Sequence, residues 1–240
     1  MRNQFPLVNG EVYHVISRTV GDTVVFENEN DFYRGIFSIY EFNNSNSVEI
    51  WERRRARINF KKNQKSSNIV GRLTSHNIDK RDKFVEIFAF SFMPNHLHLI
   101  VKQLKDNGIS QFMKKVNGGY AKYFNEKYNR KGHLFNKFKA VHISSDDQLK
   151  TVFTYVHTNL ISLIQPNWKE KGIKNIKKVR NFLENNKKHS YLDYIGKKNF
   201  PSVTQREFLL ELMGGIEGCK DAINNWLLHK KEVKDFNDIN

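Results

Sequence analysis

The stretch FSFMPNHLHLIV, Phe90 to Val101, sets two histidines one residue apart inside an apolar run. Strand side chains alternate between faces, so His96 and His98 point to one side while Leu97 and Leu99 point to the other. Pro94 and Asn95 supply turn chemistry and divide the run into two strands, KFVEIFAFSFM and HLHLIVKQL. Two buried imidazoles are costly unless something uses their nitrogens. A half-exposed structural pair satisfies the same pattern, so the rest of the chain must decide.

Upstream, EVYHVISRTV (Glu11 to Val20) alternates and is rich in β-branched residues, which predicts a strand. In DFYRGIFSIYEFNN, Phe32, Ile36, Ile39 and Tyr40 recur at helical spacing. Downstream, Ile109, Phe112, Met113, Val116, Tyr120 and Phe124 mark a second helix. Gly118 and Gly119 either weaken it or admit a close neighbour. KAVHISS is a short strand, and Ser144, Ser145 and Asp146 are candidate N-caps for a third helix. Its apolar stripe is Leu149, Val152, Phe153, Val156, Leu160 and Leu163. This order predicts an α+β fold, an antiparallel sheet with helices on one face.

The segment ERRRARINFKKNQKSSNIVGRL (52–73) is polar and basic, and reads as a loop or insertion. Beyond Pro166 the chain is again basic, predicting a linker or solvent-facing helix over 169–190. A small helical appendix is expected over 191–240, leaving 1–168 as the main domain.

Aromatic residues make up 13% of the 240-residue chain, 19 of them Phe, which excludes a disordered tail. The formal charge of +15 predicts attraction to a polyanion, most often nucleic acid. No long apolar span or lipidation motif argues for a membrane. MRNQFPLVNG lacks the apolar core of a signal peptide, so a cytoplasmic location is expected. The single cysteine, Cys219, excludes an intramolecular disulfide and a Cys-rich zinc cluster. A metal site would need His, Asp, Glu or Asn.

Tyr155 and Asn159 are four apart and share one face of the third helix, while His157 projects from the opposite edge. A tyrosine hydroxyl can serve as a nucleophile. A divalent cation held by two histidines and an amide or carboxylate oxygen would polarise a phosphodiester beside it. MPNHLHLIV followed by GHLFNKFKAVHISSDDQLKTVFTYVHTNL resembles the single-tyrosine HUH transposases of small bacterial insertion sequences, especially the REP-associated tyrosine transposases. The resemblance runs from YHVISR near Tyr13 to QPNWKEKGI at Trp168. Leu160 stands where many relatives carry proline, which should alter the helix end more than the chemistry.

The resemblance implies a ferredoxin-like sheet with the histidine pair on a central strand. By position it makes His96, His98 and Asn159 ligands of Mg²⁺ or Mn²⁺ and Tyr155 the nucleophile. It implies cleavage and transfer of single-stranded DNA through a 5′-phosphotyrosine, beside a DNA hairpin, by a monomer or homodimer associated with the nucleoid.

Tyr120, Tyr123 and Tyr128 are rival nucleophiles, although aromatics at helical spacing usually form core. Arg18 could hold a phosphate or serve structure, and His14 lies in the same strand. Arg130, Lys131, Lys137 and Lys139, interleaved with Phe135 and Phe138, suit a single strand whose bases stack and whose phosphates pair. His142 and Ser144 make a lone His-x-Ser without the second copy that two-histidine phosphoesterases need. Two function classes remain: a DNA nickase and strand transferase, or a domesticated DNA- or RNA-binding protein without turnover.

Overall fold

The computed structural model describes residues 6–48, 55 and 81–228. The basic stretch 52–73 lies outside them, apart from Arg55. The sheet contains β1 (Val12–Arg18), β2 (Val85–Met93), β3 (His96–Gln103) and β4 (Lys139–Ile143), in the order β2-β3-β1-β4 with every neighbour antiparallel. Helix α1 (Glu29–Glu41) links β1 to β2, and α2 (Gly108–Lys127) links β3 to β4. This βαββαβ order with β3 and β1 central is the ferredoxin-like α+β arrangement.

Alternation decides what each strand face meets. Tyr13, Val15, Leu97, Leu99 and Val101 join Phe90 and Phe92 against α1 and α2. All six apolar positions expected on α2 are buried. A Cβ on Gly119 would overlap the Phe42 ring, whereas one on Gly118 would meet open space, so only Gly119 serves close packing. The Asn28 side chain caps α1 by accepting from Asn30 N at 2.9 Å. Buried Gln103 ends β3 and starts α2: its Oε1 accepts from Ile109 N at 3.1 Å and its Nε2 donates to Leu7 O at 2.9 Å.

The opposite face carries α3 (Asp146–Thr158), whose Ser145 cap accepts from Gln148 N at 3.2 Å. The helix ends at Thr158 and continues as a 3-10 turn, Asn159–Leu163. That change of pitch takes Leu163 out of the apolar stripe and leaves it 40% exposed. Beyond lie α4 (Trp168–Lys171), α5 (Ile176–Leu183), α6 (Tyr191–Tyr194), α7 (Glu207–Met213) and α8 (Gly215–Leu228). Val179 and Leu183 of α5 are buried with α3 and α8, so this basic stretch packs through one apolar edge. The helices of the βαββαβ unit share one face, and the C-terminal helices cover the other.

Residues 188–190 also close the outer edge of β2. Phe92 N donates to Lys188 O at 2.8 Å, and Ser190 N donates to Phe90 O at 3.0 Å. An open strand edge invites pairing with another chain, and this short segment covers it.

His157 and His189 meet behind this edge with ring centroids 5.7 Å apart, both fully buried. His157 Nε2 lies 2.8 Å from Ser190 Oγ, and His189 Nε2 donates to Leu183 O at 3.0 Å. Burial holds His157 well below the usual histidine value and His189 at about 3. The unfolded chain takes up these protons below about pH 6.5 while the folded chain resists, so stability falls as pH drops. Each histidine should contribute a slope of about 1.4 kcal/mol per pH unit below that point. Urea unfolding between pH 7 and pH 5 should therefore show a falling midpoint, with a shallower fall in His189→Gln. Identical slopes would mean that His189 protonates freely in the folded chain.

Candidate active site

The site lies where β3 passes under α3. Arg18 pairs with His96 and Ile16 with His98 across β1, while Met93 and Ser91 occupy the matching positions on β2. His96 and His98 thus share the face turned from α1 and α2, with ring centroids 4.9 Å apart. One turn of α3 separates Tyr155 from Asn159, and both reach this face. Asn159 Nδ2 lies 3.0 Å from His98 Nε2, and the Tyr155 ring meets His98 edge-on at 5.7 Å.

The hairpin turn is held by backbone bonds from its neighbours. Thr19 N donates to Asn95 O at 2.9 Å, and Val25 N and Phe26 N donate to Pro94 O at 2.7 and 3.0 Å. The Asn95 side chain then orients His96. Its Nδ2 donates to Asp22 Oδ1 at 2.8 Å, and a carboxylate can only accept, so Asn95 Oδ1 must face His96 Nδ1, 2.6 Å away. The His96 proton therefore sits on Nδ1 and its Nε2 lone pair is available.

Burial is the main reason that these histidines resist protonation. His96 is lowered to about 4 by burial first, then by the charges of Arg18 and Lys169. His98 is pushed well below the usual value by burial, by the neighbouring histidines and by the same two cations. Both rings are neutral at neutral pH, the state in which imidazole binds a metal.

Among the described residues, no three His, Cys, Asp or Glu side chains are grouped to hold a metal ion. A cation at the histidine pair would therefore draw its third donor from another kind of side chain, and Asn159 is the amide within reach of His98. Two imidazole nitrogens and the Asn159 carbonyl oxygen, brought round by an amide turn, form a donor set suited to Mg²⁺ or Mn²⁺. Ser91, opposite His98 in register, adds a buried hydroxyl with no hydrogen-bond partner among the described residues. The residues present fit such a cation.

The rival tyrosines are engaged elsewhere. Tyr120 OH donates to Val25 O at 2.5 Å, and burial pushes its pKa far up. Tyr123 and Tyr128 donate to the buried Asp31 carboxylate at 2.7 and 2.5 Å. His157 belongs to the C-terminal core, and His142 pairs with Glu11 at 2.7 Å.

Of the basic residues, Arg18 lies opposite His96 with its guanidinium 3.7 Å from Asp22. Lys139 is exposed at the start of β4, opposite Ile16 and so on the site face. Lys131 and Lys137 are exposed on the adjoining loop, where Arg130 donates to His133 O at 3.1 Å. Phe135 and Phe138 are partly buried and pack against the core, Phe135 meeting Phe26 and Tyr120.

In the sequence, His14 stands out only as a neighbour of Arg18 in its strand, and Lys169 does not stand out. His14 lies against both His98 and Tyr155. Lys169 holds its ammonium 5.4 Å over the Tyr155 ring. Its neighbour Trp168 is buried against Trp226 at 4.9 Å, which anchors α4 beside the site. No local pattern marks Lys169 among so many surface lysines.

Residues 48–159 match the sequence family described as "Transposase IS200 like". The matched segment includes His96, His98 and Tyr155 and ends at Asn159. A search of curated proteins returns no match. Among solved structures, one of a REP-associated tyrosine transposase bound to a REP hairpin is similar at 10% identity and a TM-score of 0.48, over 84% of this chain and 89% of that one. A bacterial tRNA(His) guanylyltransferase-like protein in complex with ATP is similar at 12% identity and a TM-score of 0.39, over 76% of this chain and 72% of that one.

The geometry predicts that His96 stays neutral, with its proton on Nδ1, at pH 6 and above. Nitrogen-15 spectra of the imidazoles should show this directly. A protonated His96 at pH 6 would contradict the burial argument, and an Nε2–H tautomer would contradict the Asn95 contact.

Proposed function

We propose that this chain cleaves and rejoins single-stranded DNA as a transposase-type nuclease, with Tyr155 as nucleophile and His96, His98 and Asn159 as holders of one Mg²⁺ or Mn²⁺. The observation that carries this reading is the meeting of Asn159 and Tyr155 with His98 from a helix distant in sequence. A bound cation would polarise and orient the scissile phosphate. Tyr155 oxygen attacks phosphorus, a Tyr–O–P bond forms, and the P–O3′ bond breaks. The tyrosine proton leaves to solvent and the departing 3′-oxygen takes one from it. The 5′-phosphate stays on Tyr155, so a 3′-hydroxyl can reverse the reaction and join strands without a nucleotide cofactor.

Arg18 and Lys169 suit the charge that accumulates on the phosphate. Both act electrostatically on the histidine pair, and Lys169 also covers Tyr155. In a water-poor site, each is expected to be worth about 100-fold in rate, as for other positioned donors to a developing anion. Lys139 with Arg130, Lys131 and Lys137 would extend the cationic surface along the strand.

Labelled single strands carrying the flanking palindrome of the gene test the chemistry. A covalent adduct on the 5′-phosphate side should form with Mn²⁺, disappear in Tyr155→Phe, and survive in Tyr120→Phe. An adduct persisting in Tyr155→Phe would assign the nucleophile to another tyrosine.

Binding is a separate matter, because a charge of +15 attracts any nucleic acid. We expect one strand of the palindrome, folded as a hairpin, to bind more tightly than its complement or a perfect duplex. The affinity should fall with salt at a log–log slope of about −0.7 per phosphate contacted on the single strand. A mobility shift at physiological salt decides: equal affinity for all three, with no adduct, would favour the binding protein without turnover.

A further inference from the structure

His14 is a buried histidine to which the chemistry above gives no role. It pairs with Ile100 across β1 and β3, two residues along from the Ile16–His98 pair and so on the same face. Its ring lies nearly parallel to that of His98, with centroids 5.1 Å apart and planes inclined by 17°. His14 Nε2 is 3.0 Å from His98 Nδ1. The same ring meets the Tyr155 ring edge-on at 5.8 Å. His14 is only 3% exposed, so water does not compete for that bond.

Between two neutral imidazoles, a hydrogen bond holds one proton, and one ring donates while the other accepts. The partner on the far side of His98 decides the direction. Asn159 Nδ2 faces His98 Nε2 at 3.0 Å, and an amide nitrogen only donates. His98 Nε2 must accept, so its proton sits on Nδ1 and His14 Nε2 is the acceptor. A cation at His98 Nε2 would need the same lone pair. The bond to His14 therefore suits His98 both with the amide and with a metal.

We propose that His14 is the positioning residue of the site: by accepting the His98 Nδ1–H it fixes the tautomer and the ring plane that direct Nε2 towards Asn159 and Tyr155. This rests on the metal-site reading given under Proposed function. Partners of this kind behind metal-bound histidines change affinity by about 10- to 100-fold. The opposing view is that His14 merely fills space, in which case any ring of similar size would serve.

Manganese affinity of the full chain, read by the electron paramagnetic resonance signal of free Mn²⁺, separates these views without reference to cleavage. The unmodified chain should bind one ion. His14→Phe keeps a ring but offers no acceptor, and should bind about 10- to 100-fold more weakly. His14→Gln restores a carbonyl acceptor and should recover most of the loss. Equal affinity in His14→Phe would reduce His14 to packing. Nitrogen-15 spectra of the unmodified chain without metal provide a test that survives if the variants do not fold. There His98 should carry its proton on Nδ1, and an Nε2–H tautomer would overturn the positioning role. If the unmodified chain binds no Mn²⁺, the metal reading fails by itself, while the metal-free tautomer still judges His14.

Discussion

Everything in this molecule depends on the pairing of β3 between β1 and β2. A central strand has both edges hydrogen-bonded, so its register cannot drift without breaking two ladders at once. Its two-residue period then assigns every side chain. Leu97, Leu99 and Val101 enter the core under α1 and α2, while His96 and His98 are committed to the opposite face. A slip of one residue would put the histidines among the phenylalanines under α1 and α2 and the leucines in the site beneath α3. The histidine pair is thus held by the same hydrogen bonds that build the sheet.

Burying imidazoles beside cations would be unfavourable without compensation. Two chains of hydrogen bonds provide it. Asp22, Asn95 and His96 form one, and His14, His98 and Asn159 form the other. The first ends on His96 and the second passes through His98, and each joins elements distant in sequence. Arg18 and Lys169 lie close enough to suppress protonation further. The outcome is a neutral nitrogen-rich centre beneath positive charge, an environment suited to a phosphate and a cation together.

The C-terminal helices do more than extend the chain. Trp168 on Trp226 anchors α4 where Lys169 covers Tyr155, and residues 188–190 finish the edge of β2. Basic composition obscured this from 169 to 190. A single turn-spaced pair, Val179 and Leu183, docks α5, and such a short stripe is hard to distinguish from a solvated helix among lysines and asparagines.

Sequence by itself determined the order of strands and helices, because apolar period and turn residues are local properties. It also placed His96 beside His98 and Tyr155 one turn from Asn159, since spacing within one strand or helix fixes shared faces. Spacing alone could not place the two pairs against each other, which only the family resemblance implied and which needed α3 to cross the sheet. Nor could it single out His14 or Lys169. His14 resembles any strand histidine until register sets it 3.0 Å from His98, and Lys169 is one lysine among many until a tryptophan contact seats it over Tyr155. Those relations exist only in the folded chain, because hydrogen-bond partners across a sheet and contacts between helices depend on distances that no local pattern encodes.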